Sequence, residues 1–225
     1  GVVKSDLGRA KAAIKARELF SKTREINLLS AARIFLFASR DVWFVVGVPI
    51  FLYDQLGWSF DQVGGFMALW VIGYGGIQAA APRLLRGRAT GADAALFWGI
   101  ALMIPPAVIA IGLSPGLLES LGLTLPADGD SILLVGGLLV FGVVFALNSS
   151  VHSYLILAYS DADKVALNVG FYYTANAIGR LGGTLLSGVL YQIAGLPGAL
   201  WASAGLMALA VAFTLPLSRR RTVLP

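Results

Sequence analysis

Residues 167–191 read LNVGFYYTANAIGRLGGTLLSGVLY. Tyr172, Asn176, Arg180 and Thr184 recur every four residues, a spacing that stacks them along one face of a helix. Beside them runs a second strip of small side chains, Ala175, Gly179, Gly183 and Ser187. In lipid such a ridge lets another helix approach closely. One strip packs while its neighbour presents polar groups, as a cavity-lining helix requires. Arg180 falls near the middle of a stretch apolar enough to cross a bilayer, where a guanidinium costs about 2.5–3.5 kcal/mol on insertion scales. Something must offset that cost.

Five further apolar runs flank this one. A span needs about 20 apolar residues, and six are expected, over approximately 30–53, 63–82, 92–113, 131–157, 167–191 and 197–217. The composition agrees: 57% of the 225 residues are hydrophobic and 13% charged, against about 25% charged in a soluble domain. Mean hydropathy is +0.79. An all-α membrane protein follows, divided into a basic amphipathic segment (1–29), a six-span bundle (30–217) and a basic tail (218–225).

Charge placement orients the bundle. All 17 Lys and Arg residues except Arg40 and Arg180 fall on one side of the alternating spans, in 1–30, at Arg33, in the Arg83/Arg86/Arg88 loop, at Lys164 and in Arg219–Arg221. The loops at 54–62, 114–130 and 193–196 contain no base, and the first two carry acids, Asp54, Asp61, Glu119, Asp128 and Asp130. The positive side is cytoplasmic, so both termini are expected in the cytoplasm. The same distribution argues against nucleic acid: the net charge of +5 is spread between apolar runs rather than gathered in a patch.

Absences narrow the chemistry. There is no Cys and one His, so thiolate metal sites and disulfides are excluded and no metal centre is expected. No nucleophile–base pair or Gly-rich phosphate loop is visible, so neither an enzyme nor a cofactor is expected.

Polarity within the spans repeats in threes. Span one holds Arg40 and Asp41; span two holds Trp70, Tyr74 and Gln78; span three is bland. Span four holds Asn148, Ser149, Ser150, His152 and Ser153; span five carries the polar stripe; span six is bland again. Repeated three-helix units build many transporter halves. On this reading spans three and six face lipid and the others line something wet. Arg180 and Arg40 are candidate anion-binding residues, because a guanidinium grips carboxylate or phosphate oxygens in two places. Tyr172, Asn176 and Thr184 are candidates for orienting the ligand. Trp70, Tyr74, Gln78, Asn148 and His152 are candidate cavity-lining residues, with helix packing as the alternative. Asp41 is either a proton-coupling site or an ion-pair partner. Neighbours on a helix point about 100° apart, so Asp41 is expected to pair poorly with Arg40 and to face another helix.

The topology resembles the carboxyl-terminal half of a major facilitator superfamily transporter, with residues 1–29 as the central loop. The Arg83–Arg88 loop is similar to the superfamily's Gly/Arg-rich motif but lacks the acidic residue before its first base. Five strings, SRDVWFVVGVP (39–49), GWS (57–59), VGGF (63–66), LWVIGYG (69–75) and NAIGRLGGTLLSG (176–188), resemble the organoarsenical efflux permeases of arsenic-resistance operons. The resemblance implies alternating-access export of 1-arseno-3-phosphoglycerate and hence arsenate resistance. It also implies a functional link to glyceraldehyde-3-phosphate dehydrogenase, which forms that ester, and pairing with an amino-terminal six-span half in the cytoplasmic membrane. The absence of thiols suits a pentavalent oxyanion ester. Two alternatives stand beside it: an exporter of other organic anions or sugar phosphates, and a non-transporting scaffold subunit in which both arginines are sealed against carboxylates.

Overall fold

A computed structural model describes residues 23–85 and 91–218. Every element in them is helical. Apolar runs of this length leave little choice, because a helix satisfies its own backbone hydrogen bonds within one segment.

The first helix, α1 (Arg24–Phe44), begins ahead of the apolar run. Thr23 caps it, accepting a hydrogen bond from the Ile26 amide at 3.3 Å, and Ile26 and Leu29 are fully buried. Residues 24–29, expected in the basic segment, therefore belong to the first span. That span is broken, resuming as α2 (Gly47–Asp54). Pro49 accounts for the break: it has no N–H to offer the Val45 carbonyl, and in a continuous helix its ring would collide with that oxygen. The Val46 and Gly47 amides at the break both point to the Ser187 hydroxyl, at 3.4 Å.

The chain continues through α3 (Phe60–Leu85), α4 (Ala92–Gly112), a short exposed α5 (Pro115–Ser120), α6 (Gly129–Ala158), a 3-10 turn (Ala162–Lys164) and α7 (Val165–Ser218). With α1 and α2 taken as one span, five helices are long and apolar enough to cross a membrane. The last needs dividing. Its 54 residues would run about 80 Å if straight, far beyond a hydrocarbon core of about 30 Å. Gly195, at φ 64° and ψ −168°, breaks it into arms over 165–194 and 196–218. Six spans result, matching the six apolar runs. The expected basic segment before residue 23, Arg86 and Arg88 of the basic loop, and the tail from Arg219 lie outside the described residues.

Both ends of the described chain lie at one end of the bundle. Ile26, Leu29, Ala92, Ala94, Ala95, Val151, Leu155, Ile156, Tyr172 and Leu217 form a single buried cluster there. At the same end, partial burial and the nearby carboxylates of Glu25 and Asp93 push the Tyr159 phenol above its usual range. Leu196 packs on Gly47 at the opposite end, where Tyr53 stacks on Phe60.

Contacts between spans respect an exchange of the first three with the last three. Span one packs on span five through Gly179 and Gly183, and span four on span two through Gly142, which carries the Trp70 indole. Span one meets span six at Ser39–Ser203 and Phe35–Phe213, as span four meets span three at Gly137–Ile109. Spans three and six touch each other where Gly99 meets Val211 and Met207.

In span three 44% of the apolar window is buried within the bundle, against 11% in span two. Lipid tails are as apolar as Leu, so helices pack in a membrane by shape and small residues. Leu69, Ile72, Phe97, Ile132, Leu181 and Ile193 are all more than 60% exposed. So apolar an exterior suits hydrocarbon rather than water.

Candidate functional site

The site is built around α1, which has neighbours on every side. Towards the first arm of α7, Gly179 and Gly183 leave no side chain between the helices. A Cβ on Gly179 would collide with the Ile34 carbonyl, and one on Gly183 would sit 2.8 Å from the Ala38 oxygen and 3.0 Å from the Asp41 Cβ. The small ridge read from the sequence is thus buried along its length, Ala175 and Ser187 included. It brings Asp41 within reach of Arg180.

Asp41 joins both predicted arginines. Its Oδ1 lies 2.6 Å from Arg40 Nε and its Oδ2 3.3 Å from Arg180 Nε. The poor pairing expected between sequence neighbours is therefore corrected: Arg40 and Asp41 do pair, because a long guanidinium stem swings around the helix to a carboxylate that is itself held in place. Asp41 also faces a second helix, as expected. The three groups differ in access. The Asp41 side chain is 1% exposed and that of Arg40 11%, whereas that of Arg180 is 59% exposed. Arg180 therefore projects from the flank of the bundle at mid-span.

The polar stripe does not act as one surface. Tyr172 is buried, Asn176 and Thr184 are half-buried, and Arg180 is exposed. At 100° per residue, each four-residue step drifts about 40°, so Tyr172 and Thr184 point about 120° apart. Tyr172 faces inward, with Ser153 beside its hydroxyl and the Arg33 guanidinium 4.8 Å from its ring centroid.

Arg33 is the residue that sequence reasoning misplaced. Assigned to the charged cytoplasmic side, it is instead 3% exposed. It donates to the Ser149 carbonyl at 3.2 Å and hydroxyl at 3.0 Å, and lies 4.1 Å from the Phe37 ring centroid. The cause is the early helix start: nine residues beyond Arg24, Arg33 lies about 13 Å inside. A signal was present, since Arg33 and Arg40 are seven residues apart and share a face. Arg40 also lies over Phe37, at 5.0 Å, and Phe145, at 5.1 Å. Among the described residues, no carboxylate lies within ion-pairing distance of Arg33.

The remaining candidates divide. Trp70 is a packing residue: its indole donates to the Leu138 carbonyl at 2.9 Å and stacks on Tyr74. Gln78 reaches the Ser149 hydroxyl at 3.4 Å, which brings it to the group that holds Arg33. Asn148 and His152 are buried inside the bundle rather than lining an open space. Among the described residues, the Asn148 amide and His152 Nδ1 have no hydrogen-bond partner. A groove of about 240 Å³ between α3 and α6, lined by Phe66, Trp70, Tyr74, Ile77, Leu139 and Val143, offers nothing to hold an anion.

Three guanidiniums and one carboxylate thus collect around one helix, with Ser149, Gln78 and Asn176 as neutral polar company. The arrangement has the charge to hold an anion and one arginine open to receive it. No family model matches this chain, and no curated protein matches it.

Proposed function

We propose that this chain is one wall of a membrane carrier for organic anions, the carboxyl-terminal six-span half of a twelve-helix facilitator-type transporter. The observation that carries the reading is Arg180, 59% exposed at mid-span and tied to a buried Asp41–Arg40 pair. A guanidinium facing hydrocarbon at that depth is costly, so its flank is expected to face water or a second bundle. An amino-terminal half placed there would enclose a cavity with Arg180 on its wall. Rocking of the halves would then expose the site to each side in turn. The basic side is taken as cytoplasmic.

Within this class the resemblance selects 1-arseno-3-phosphoglycerate, exported from the cytoplasm. Sugar phosphates and other organic anions are the alternative cargo. In the cycle an arriving oxyanion competes with Asp41 for Arg180. The released carboxylate either stays with Arg40 or accepts a proton, which would couple transport to a proton gradient. The scaffold alternative requires both arginines to be sealed, and the exposure of Arg180 weighs against it.

The test is uptake of arseno-phosphoglycerate into everted vesicles carrying the whole transporter, native or Arg180→Gln. Uptake by the native protein, lost in an equally abundant variant, is the expected outcome. Uptake that survives would return Arg180 to a structural role. Absence of arsenical uptake alongside transport of phosphoglycerate would move the cargo to the alternative.

A further inference from the structure

We infer that residues 114–125 form an interfacial element, lying on the membrane leaflet at the end of the bundle away from Arg24 and Ser218, with its leucines seated among the acyl chains. The inference stands apart from the carrier reading and needs only a bundle that spans the membrane.

The segment is built rather than slack. Pro115 opens α5 at the first helical position, where its missing N–H costs nothing. Gly122, at φ 67°, closes it. The Gly122 amide donates to the Glu119 carbonyl and the Leu123 amide to the Leu118 carbonyl, each at 3.0 Å. This pair of bonds ends a helix on a left-handed residue and folds the next side chain back against it, here Leu123 towards Leu118. Around the α5 axis Leu117, Leu118 and Leu121 fall within about 100° of one another, with Glu119 and Ser120 on the other side. Apolar and polar faces are thereby separated.

This ordered segment leaves its leucines uncovered. Leu117, Leu121, Leu123 and Leu125 are between 37 and 55% exposed, and no residue from 115 to 128 is buried. Position decides what covers them. Span three ends at Gly112 and span four begins at Gly129. Gly112 lies against Leu133 at the start of span four, and Gly129 against Leu125 and Pro126. Both tethers are membrane spans meeting at one bilayer boundary, and a segment folded back between them stays at that boundary. Val108 and Ile132, about one turn inside either span, are exposed as well, so the leucines continue an exterior that already faces hydrocarbon. Interfacial helices commonly carry bases that draw them to anionic lipid. This segment has Glu119 and no base, so burial of its leucines in acyl chains holds it, and an anionic headgroup is not its partner.

The test exploits the lack of thiols. Because this chain has no Cys, the variants Leu117→Cys, Glu119→Cys and Leu121→Cys each accept one nitroxide label in the complete protein, freed of any other thiol. All three positions are exposed, so the labels leave the packing of the bundle untouched. In phosphatidylcholine vesicles, collisions of each nitroxide with oxygen, which concentrates in the bilayer, are compared with collisions with a water-soluble nickel chelate. The ratio of oxygen to nickel collisions is expected to be about fivefold higher at 117 and 121 than at 119, the pattern of a helix lying in the interface plane. Equal ratios at the three positions, with nickel reaching each, would place the segment in water and overturn the inference. Exclusion of both reagents from 117 and 121 would mean that protein covers the leucines, which overturns it too.

Discussion

The two sides of α1 are built on opposite rules. Against the first arm of α7 the seam is made of absences: Gly179 and Gly183 let the Ile34 and Ala38 backbone come so near that no Cβ fits. Against α6 the seam is made of bulk, with Arg33, Phe37, Arg40 and Trp43 meeting Phe141, Phe145 and Ser149. A seam of the first kind cannot alter without displacing a helix. One of the second kind rearranges by turning side chains. One helix is thereby anchored on one side and adjustable on the other, and its ionisable residues divide accordingly: Asp41 reaches across the anchored seam and Arg33 across the adjustable one.

Substitutions that exchange these characters test the contrast. The largest effect is expected from Gly179→Leu, whose side chain has only the Ile34 backbone to displace. The bundle should fail to assemble, read as loss of the monodisperse folded protein on size-exclusion chromatography. Next, Asp41→Asn leaves the buried Arg40 without its partner and should cost about 3 kcal/mol. In the double variant with Arg40→Met most of that loss should return, measured as a non-additive cycle in denaturant titrations. On the adjustable side, Phe145→Leu should cost about 1 kcal/mol, since apolar exchanges of modest volume change are absorbed by repacking. A cost as large as that of Gly179→Leu would show that the two seams do not differ. The smallest effect on stability is expected from Arg180→Gln, within about 0.5 kcal/mol, because the Arg180 side chain is largely exposed and Asp41 keeps Arg40 as its partner. Transport should be lost all the same, which separates this residue's role from that of its neighbours.

What could be read from the chain was whatever local spacing encodes. Six apolar runs of membrane-spanning length became six spans, and the four-residue rhythm of Ala175, Gly179, Gly183 and Ser187 became the close seam. What depended on a partner elsewhere was not legible. Arg33 was placed outside because its depth is set by Thr23, which starts the helix earlier than hydropathy indicates. The Arg40–Asp41 pair was discounted because helical angles describe where Cβ atoms point and not where a four-bond side chain ends. The break at Val45–Val46 had its sign in Pro49, but its stabilisation comes from Ser187, about 140 positions away.

Gly195 leaves no slack between the last two spans. A single residue turns the chain between the arms over 165–194 and 196–218, at a φ and ψ that L side chains rarely adopt. With no loop to spare, a displacement of the first arm is passed on to the second, so the Arg180–Asp41 contact of the one and the Ser203–Ser39 contact of the other are tied through one residue as well as through α1.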